Sequence, residues 1–286
     1  MKYYISIFSS YILFSLLGII SRNIHFPFFV TLSIMSFFGF FISFVFYYYV
    51  NKNIISLFKF DIHSFFVSII FVFDLTFLFV AFKYVNFSTV IILHYFAPVL
   101  VILFNNRKIE KIDLFITSIG FLGIFFIFQD NLNINTFDSN YYLGILFSFL
   151  SSFTLAGNII YQHKYVNKLN NNYVIAVIKY NFYMFLIFSF FLFFIKYDIS
   201  IIINNINDLY YSILAGIFIQ GIAMLLFNYS IQFININNIA KISYSEILFV
   251  TFFGFLFYDE VINFLQFIGL MLIVLVNILG VKRINT

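Results

Sequence analysis

The sequence predicts an all-α integral membrane protein whose ten transmembrane helices form two inverted five-helix repeats. Three observations predict this fold class. Of the 286 residues, 63% are hydrophobic and only 9% are charged. The apolar residues form long continuous runs, and Lys and Arg concentrate in every second break between runs. Because soluble globular domains carry about 25% charged residues, a chain of this composition requires a lipid environment.

The first predicted repeat, residues 1–139, contains five apolar runs. A membrane-spanning helix needs about 20 mostly apolar residues, and each run is close to that length. The opening run resembles a signal peptide but has no small-residue cleavage site, so it predicts a retained first helix. The five predicted helices lie at 3–21, 28–50, 63–82, 87–104 and 112–128.

The second predicted repeat, residues 140–286, has the same organisation. Its runs are separated by short polar breaks rich in Asn, and no break is long enough for a soluble domain. Its five predicted helices lie at 141–161, 173–195, 209–230, 239–257 and 261–281.

The distribution of Lys and Arg predicts the orientation of these helices, because basic residues are retained on the cytoplasmic side of a membrane. With the N-terminus inside, three basic residues fall outside, at Arg22, Lys83 and Lys196, and Lys179 lies within a helix. Eleven fall inside or at inner helix ends: Lys2, Lys52, Lys59, Arg107, Lys108, Lys111, Lys164, Lys168, Lys241, Lys282 and Arg283. This asymmetry predicts an even number of helices in the cytoplasmic (inner) membrane, with both termini in the cytoplasm.

A shift of 149 residues places part of the first half over the second. Residues 87–128 then lie over 236–277, and the helix boundaries coincide. Three identical pairs stand out from the background of Phe and Ile: Asn86/Asn235, Tyr95/Tyr244 and Gly120/Gly269. Because five helices per half is an odd number, the two copies would point in opposite directions, which is a recurrent transporter architecture.

Two stretches resemble the EamA-type transporters of the drug/metabolite transporter superfamily. The first is AFKYVNFSTVIILHYFAPVLVILFNNRKIEKIDLFITSIGFLG at 81–123, where Pro98-Val99 fits the end of the family's apolar run. In the second half, Tyr244-Ser245-Glu246 looks like the family's Leu-Glu-Pro. Farther on, Asp259-Glu260 looks like its Gly-Glu, and Gly269 follows nine residues after Glu260.

This resemblance implies a ten-helix carrier of small metabolites. It does not select one substrate, because the family spans amino acids, nucleotide-like compounds, sugars and drugs. Two positions depart from the family pattern. Ile247 stands where a helix-breaking proline is usual, and Lys111 occupies the position equivalent to Glu260.

Acidic residues inside the predicted helices are the first candidates for a functional site, because a charge at a helix centre costs about 2.5–3.5 kcal/mol on insertion scales. Glu246, which the resemblance also selects, lies within the ninth predicted helix. It can bind an ammonium group of a substrate or take up a proton during the transport cycle. The alternative is an ion pair or hydrogen bond that holds helices together. Asp74, in the middle of the third predicted helix, has the same two interpretations.

Four further residues complete the candidate substrate-binding or proton-coupling set. Lys179 can pair with one of the two acids, bind a substrate carboxylate, or extend its ammonium to the cytoplasmic face. His94 is either a proton relay or ligand contact, or else a hydrogen-bonded packing residue. Tyr95 and its repeat mate Tyr244 either face each other and stack a planar substrate, or serve in packing.

The sequence predicts no cofactor, metal site or nucleic-acid binding, because it has no Cys, His cluster or phosphate-binding loop and its basic residues are spread thinly. The predicted function is secondary transport of a small metabolite by alternating access, with proton coupling or exchange, in a monomer or homodimer. The substrate would be an amino acid or a related polar or cationic compound. Two alternatives are a non-transporting membrane scaffold and a membrane-embedded enzyme. Enzymatic activity is not expected, because no cluster of His, Asp or Arg marks one interface.

Overall fold

The computed structural model describes residues 1–22, 24–50, 59–105, 111–129, 139–168, 173–195, 205–258 and 261–282. The Gly-Glu-like pair Asp259-Glu260 lies outside the described residues. So do five of the basic residues that predict the orientation: Lys52, Arg107, Lys108, Lys196 and Arg283. The orientation in the membrane therefore stays a prediction from the sequence.

The described residues form helices and contain no strand. In the first half of the chain these are α1 (Lys2–Arg22), α2 (Phe28–Val50), α3 (Ile62–Tyr84), α4 (Phe87–His94), α5 (Ala97–Asn105) and α6 (Lys111–Phe128). In the second half they are α7 (Ser139–Lys168), α8 (Tyr173–Ile195), α9 (Ile206–Ala215), α10 (Met224–Ile231), α11 (Ile236–Ser243), α12 (Ser245–Tyr258) and α13 (Phe264–Lys282). A π-helical segment, Gly216–Ala223, joins α9 to α10 and makes them one continuous span.

Within the described residues, nine helical stretches are long and apolar enough to cross a membrane. The apolar part of α1, Lys2–Leu17, is shorter than these nine. Each of the ten predicted segments therefore corresponds to one helix or to consecutive helices. The prediction of an all-helical protein with the character of a membrane protein is confirmed.

The fourth and ninth predicted spans are each broken into two helices. The side chains of Asn86 and Asn235 cap α4 and α11 respectively, as expected for a residue type favoured at helix N-termini. Each of these helices has 8 residues and stops directly before Tyr95 or Tyr244. The caps and the breaks are therefore related by the same shift of 149 residues that relates the two halves of the sequence. The inverted arrangement of two five-helix repeats stays a prediction.

The described helices group into two compact units. One unit comprises Met1–Val72 with Gln162–Phe233, and the other comprises Phe73–Tyr161 with Ile234–Thr286. Each unit takes segments from both predicted repeats, 1–139 and 140–286. The first unit contains α1, α2, α8, α9 and α10, and the second contains α4, α5, α6, α11, α12 and α13.

In the second unit, α6 and α13 cross at two glycines. A Cβ atom on Gly269 would lie 2.5 Å from the carbonyl oxygen of Gly123, and one on Gly123 would lie 2.8 Å from that of Gly269. Lipid provides no hydrophobic drive for helices to associate, so small residues that permit close backbone packing stabilise such crossings. This crossing forms part of the framework that holds α11 and α12.

Candidate substrate-binding site

Two acidic side chains of the candidate set lie inside the spans of the second unit, and each accepts a hydrogen bond from a hydroxyl group. Asp74 on α3 is 4% exposed, and its Oδ1 accepts a 3.0 Å bond from Oγ1 of Thr154 on α7. Glu246 lies in the first turn of α12, and its carboxyl accepts a bond from the hydroxyl of Tyr95. Among the described residues, neither acid forms an ion pair with Lys or Arg.

Two hydroxyl groups on one face of α7 contact Asp74 and His94. Ser151 and Thr154 lie one helical turn apart, and Ser151 Oγ is 2.9 Å from Nδ1 of His94. Ser151 also donates to the carbonyl oxygen of Ser148 at 2.7 Å. The α7 hydroxyls therefore link the surroundings of Asp74 to those of His94.

The hydrogen bond between Tyr95 and Glu246 joins the two helix breaks. Tyr95 directly follows α4, and Glu246 lies just beyond the break at Tyr244. Broken helices are where secondary transporters commonly bind substrates and ions. Tyr95 is buried, whereas Glu246 is partly exposed.

Tyr244 has a different environment from Tyr95, its repeat mate. Its side chain is fully buried, and its ring fills the space that a Cβ atom on Gly120 would occupy. Its hydroxyl donates to the carbonyl oxygen of Thr117 at 3.1 Å. Both tyrosines lie in one apolar core cluster of the second unit. These contacts favour packing over substrate stacking for Tyr244.

Lys179 lies in the first unit, on α8, and is 9% exposed. Its charged neighbours are Asp61, which attracts it, and Lys59, which repels it. Both residues lie just before α3 in the chain. This position agrees with an ammonium group that extends towards a membrane surface, one of the alternatives that the sequence left open.

Sequence reasoning missed a buried ion pair in the second unit. Lys241 Nζ lies 2.6 Å from Oδ1 of Asp113, and both side chains are almost completely buried. Asn237 donates to the other carboxylate oxygen at 2.8 Å, and Asn238 lies 3.4 Å from the ammonium. The pair fixes α11 against the start of α6.

Lys241 is therefore a structural residue and a poor signal of orientation. The sequence placed it at an inner helix end, but it is a buried residue of α11 whose charge is neutralised by Asp113. Ten basic residues remain on the predicted inner side once it is removed from the eleven. The signal that was overlooked is the spacing of Asn237, Asn238 and Lys241. Three polar residues at i, i+1 and i+4 form a polar helix face within an apolar span.

The site therefore combines two carboxyl groups with hydroxyl, phenol and imidazole groups. It presents Asp74, Glu246, His94, Tyr95, Ser151 and Thr154. Such a set can bind an ammonium group or exchange protons, and within the described ranges neither carboxyl group is paired with a Lys or Arg side chain. Among the described residues, no group of His, Asp and Glu could hold a metal ion.

Comparison with known protein families gives one match, in the second half of the chain. The family model described as EamA-like transporter family matches residues 142–280. This segment, just under half of the chain, is similar to the members of that family. The resemblance inferred from the sequence is thereby confirmed, and the EamA-like segment contains Tyr244 and Glu246. The matched family consists of transporters, and the apolar helices of the described residues indicate a multi-pass membrane protein.

Comparison with solved structures concerns the fold alone. A structure described as "Crystal structure of protein" has a TM-score of 0.81 and 13% sequence identity, over 98% of this chain and 97% of that chain. No curated protein that was compared with the chain matches it. This chain therefore shares its fold with a known structure over nearly the whole length of both chains.

Proposed function

We propose that the protein is a secondary transporter that moves a small metabolite with a positively charged amine across the cytoplasmic membrane by alternating access. The observation that carries this proposal is the charge balance of the second unit. Asp113 is neutralised by Lys241, whereas Asp74 and Glu246 have no cationic partner among the described residues. An ammonium group or protons would supply the missing positive charge.

In the proposed mechanism, the substrate amine binds to the carboxylate of Glu246 or Asp74 and displaces a proton from it. The Tyr95 hydroxyl and the Thr154 hydroxyl hold the two carboxyl groups in place through their hydrogen bonds. After the protein opens to the other side, protons return to the carboxyl groups and release the substrate. Amine and protons would then move in opposite directions.

The two broken spans support alternating access. Their caps and breaks recur after 149 residues, so the two halves carry similar discontinuous helices. In inverted-repeat transporters, such helices surround a fixed site while one repeat moves against the other. With an even number of helices and the basic residues inside, both termini would lie in the cytoplasm.

The test compares Glu246→Gln and Asp74→Asn with Asp208→Asn. Asp208 is a matched control, because it is a buried carboxyl of the first unit that accepts a 2.9 Å bond from the backbone of His25. Metabolite profiling of cells with and without the protein identifies compounds whose levels depend on it. We expect the first two variants to insert normally and lose that dependence, and the control to retain it. Retention of the full phenotype in all three would favour a scaffold instead.

A further inference from the structure

Asp61, directly before α3 in the first unit, has a carboxylate that accepts hydrogen bonds from neighbouring residues. Asp61 Oδ2 accepts a bond from the backbone N–H of Ser64 at 2.9 Å and another from the hydroxyl of Tyr165 on α7. Burial raises the pKa of Asp61, but the bonds from Ser64 and Tyr165 and the charge of Lys179 outweigh it and hold the pKa below its usual value. Asp61 is therefore anionic and fixed in position.

Lys179 is attracted by this carboxylate, and no described residue accepts a hydrogen bond from its ammonium. It is 9% exposed, and it forms no hydrogen bond or ion pair with any residue in the part of the chain that the structure describes. An ammonium group has three donors, and a buried charge is stable only when it is paired. Lys179 lies one turn before Tyr183 on α8, and the hydroxyl of Tyr183 accepts a 3.3 Å bond from the backbone N–H of Asp61, so this face of α8 packs against the start of α3.

The surface at the start of α3 combines cationic and apolar groups. Lys59 and His63 are exposed there, and so are the side chains of Phe60, Ile62 and Phe66. Ile62 and Phe66 are one turn apart on α3, so they share a face. In a membrane protein, exposed apolar side chains at the end of a span face the lipid acyl chains. Two lysines against one carboxylate give this cluster a net positive charge.

We propose that Lys59, Lys179 and His63 bind the phosphate of an anionic phospholipid, whose acyl chains lie along Phe60, Ile62 and Phe66. The lysines supply the positive charge, and the apolar face favours a lipid over free phosphate. In the predicted orientation this end of α3 is cytoplasmic, where anionic lipids are available and basic pockets between helices bind their headgroups. The proposal concerns a site separate from the transport site of the second unit.

The experiment measures lipid binding to the purified full-length protein. Protein is titrated with phosphatidylglycerol and, in parallel, with phosphatidylcholine and with inorganic phosphate, and binding is followed by thermal stabilisation and by native mass spectrometry. We expect stabilisation and retained lipid with phosphatidylglycerol alone. Equal effects from phosphatidylcholine would overturn the requirement for an anion, and an equal effect from inorganic phosphate would overturn the assignment to a lipid.

Variants then test the residues. Lys179→Gln should weaken phosphatidylglycerol binding about fivefold, as expected for one lysine near an anionic surface. Lys59→Gln, at an exposed position, should weaken it similarly and serves if Lys179→Gln does not fold. Lys83→Gln, at the other end of α3, is the control and should bind normally. Asp61→Asn keeps a helix-capping side chain but removes the negative charge, so it should strengthen binding. Unchanged binding in Lys59→Gln and Asp61→Asn would refute the site.

Discussion

The hydroxyl of Tyr95 donates a hydrogen bond to the carboxyl of Glu246, and each of these residues lies at the break of a different span. The bond therefore joins α4 and α12 at the two points where the helices are interrupted. The shift of 149 residues makes Tyr95 equivalent to Tyr244. The hydrogen bond, however, pairs Tyr95 with Glu246, so unlike residues connect the two similar breaks. An acid is present on one side and a phenol on the other.

Tyr95→Phe should reduce transport by about tenfold or more, because a hydrogen bond to a charged group contributes roughly 1.5–3 kcal/mol. Tyr244→Phe is the matched change at the equivalent position. It removes the bond to Thr117, so it should lower stability by about 1 kcal/mol and leave transport close to wild type. Transport rates and thermal unfolding of both variants check this. Equal transport defects would show that the two tyrosines do not differ as described.

Thr154→Val should impair transport, because it removes the hydroxyl that bonds Asp74 while keeping the side-chain shape. Thr251→Val is the control, since Thr251 Oγ1 bonds to the carbonyl oxygen of Ile247 within its own helix. We expect a several-fold loss for the first and none for the second, measured as initial rates at equal protein levels. A normal rate for Thr154→Val would remove Asp74 from the mechanism.

Lys241→Met should destabilise the protein by about 3–5 kcal/mol, because it leaves the buried Asp113 carboxylate without its partner. The double variant Lys241→Met with Asp113→Leu replaces both charges by apolar groups and should recover most of that stability. Unfolding in detergent measures both changes. If the single variant proves as stable as the wild type, the ion pair does not hold α11 against α6.

Gly269→Ala should destabilise the crossing of α6 and α13 by about 1–3 kcal/mol, as expected for overpacking. The new Cβ atom would meet the carbonyl oxygen of Gly123 at 2.5 Å, and a backbone atom cannot move aside easily. Gly157→Ala is the control, because its added Cβ would meet no heavy atom within 4 Å beyond its own helical turn. That variant should be neutral or stabilised by up to about 1 kcal/mol through helix propensity. Comparable losses in both would contradict the close crossing.

The spans were predictable from the sequence because their length and composition follow directly from the thickness of a bilayer. Asn86 and Asn235 were found as an identical pair in the repeat, although each of their spans was predicted as one continuous helix, at 87–104 and 239–257. Glu246 was identified both by its depth within an apolar run and by the family resemblance. These features depend on neighbouring residues in the chain, so local patterns were sufficient to find them.

The partners of the charged residues were not predictable, because they depend on contacts between distant parts of the chain. Asp113 and Lys241 are 128 residues apart, and each lies near the end of a different predicted span. One expected partner of Lys179 was Asp74 or Glu246, but its acidic neighbour in the structure is Asp61. Only the packing of helices determines which of several buried acids meets which lysine.

The most direct test of the central claim measures amine-driven proton movement in proteoliposomes that contain a trapped pH dye. Lysine, arginine, putrescine and agmatine are added outside, with succinate and glucose as anionic and neutral comparisons. We predict proton movement with at least one amine for the wild type and Asp208→Asn, and none for the double variant Asp74→Asn with Glu246→Gln. Amine-driven movement that persists in the double variant, or transport confined to succinate or glucose, would contradict the account.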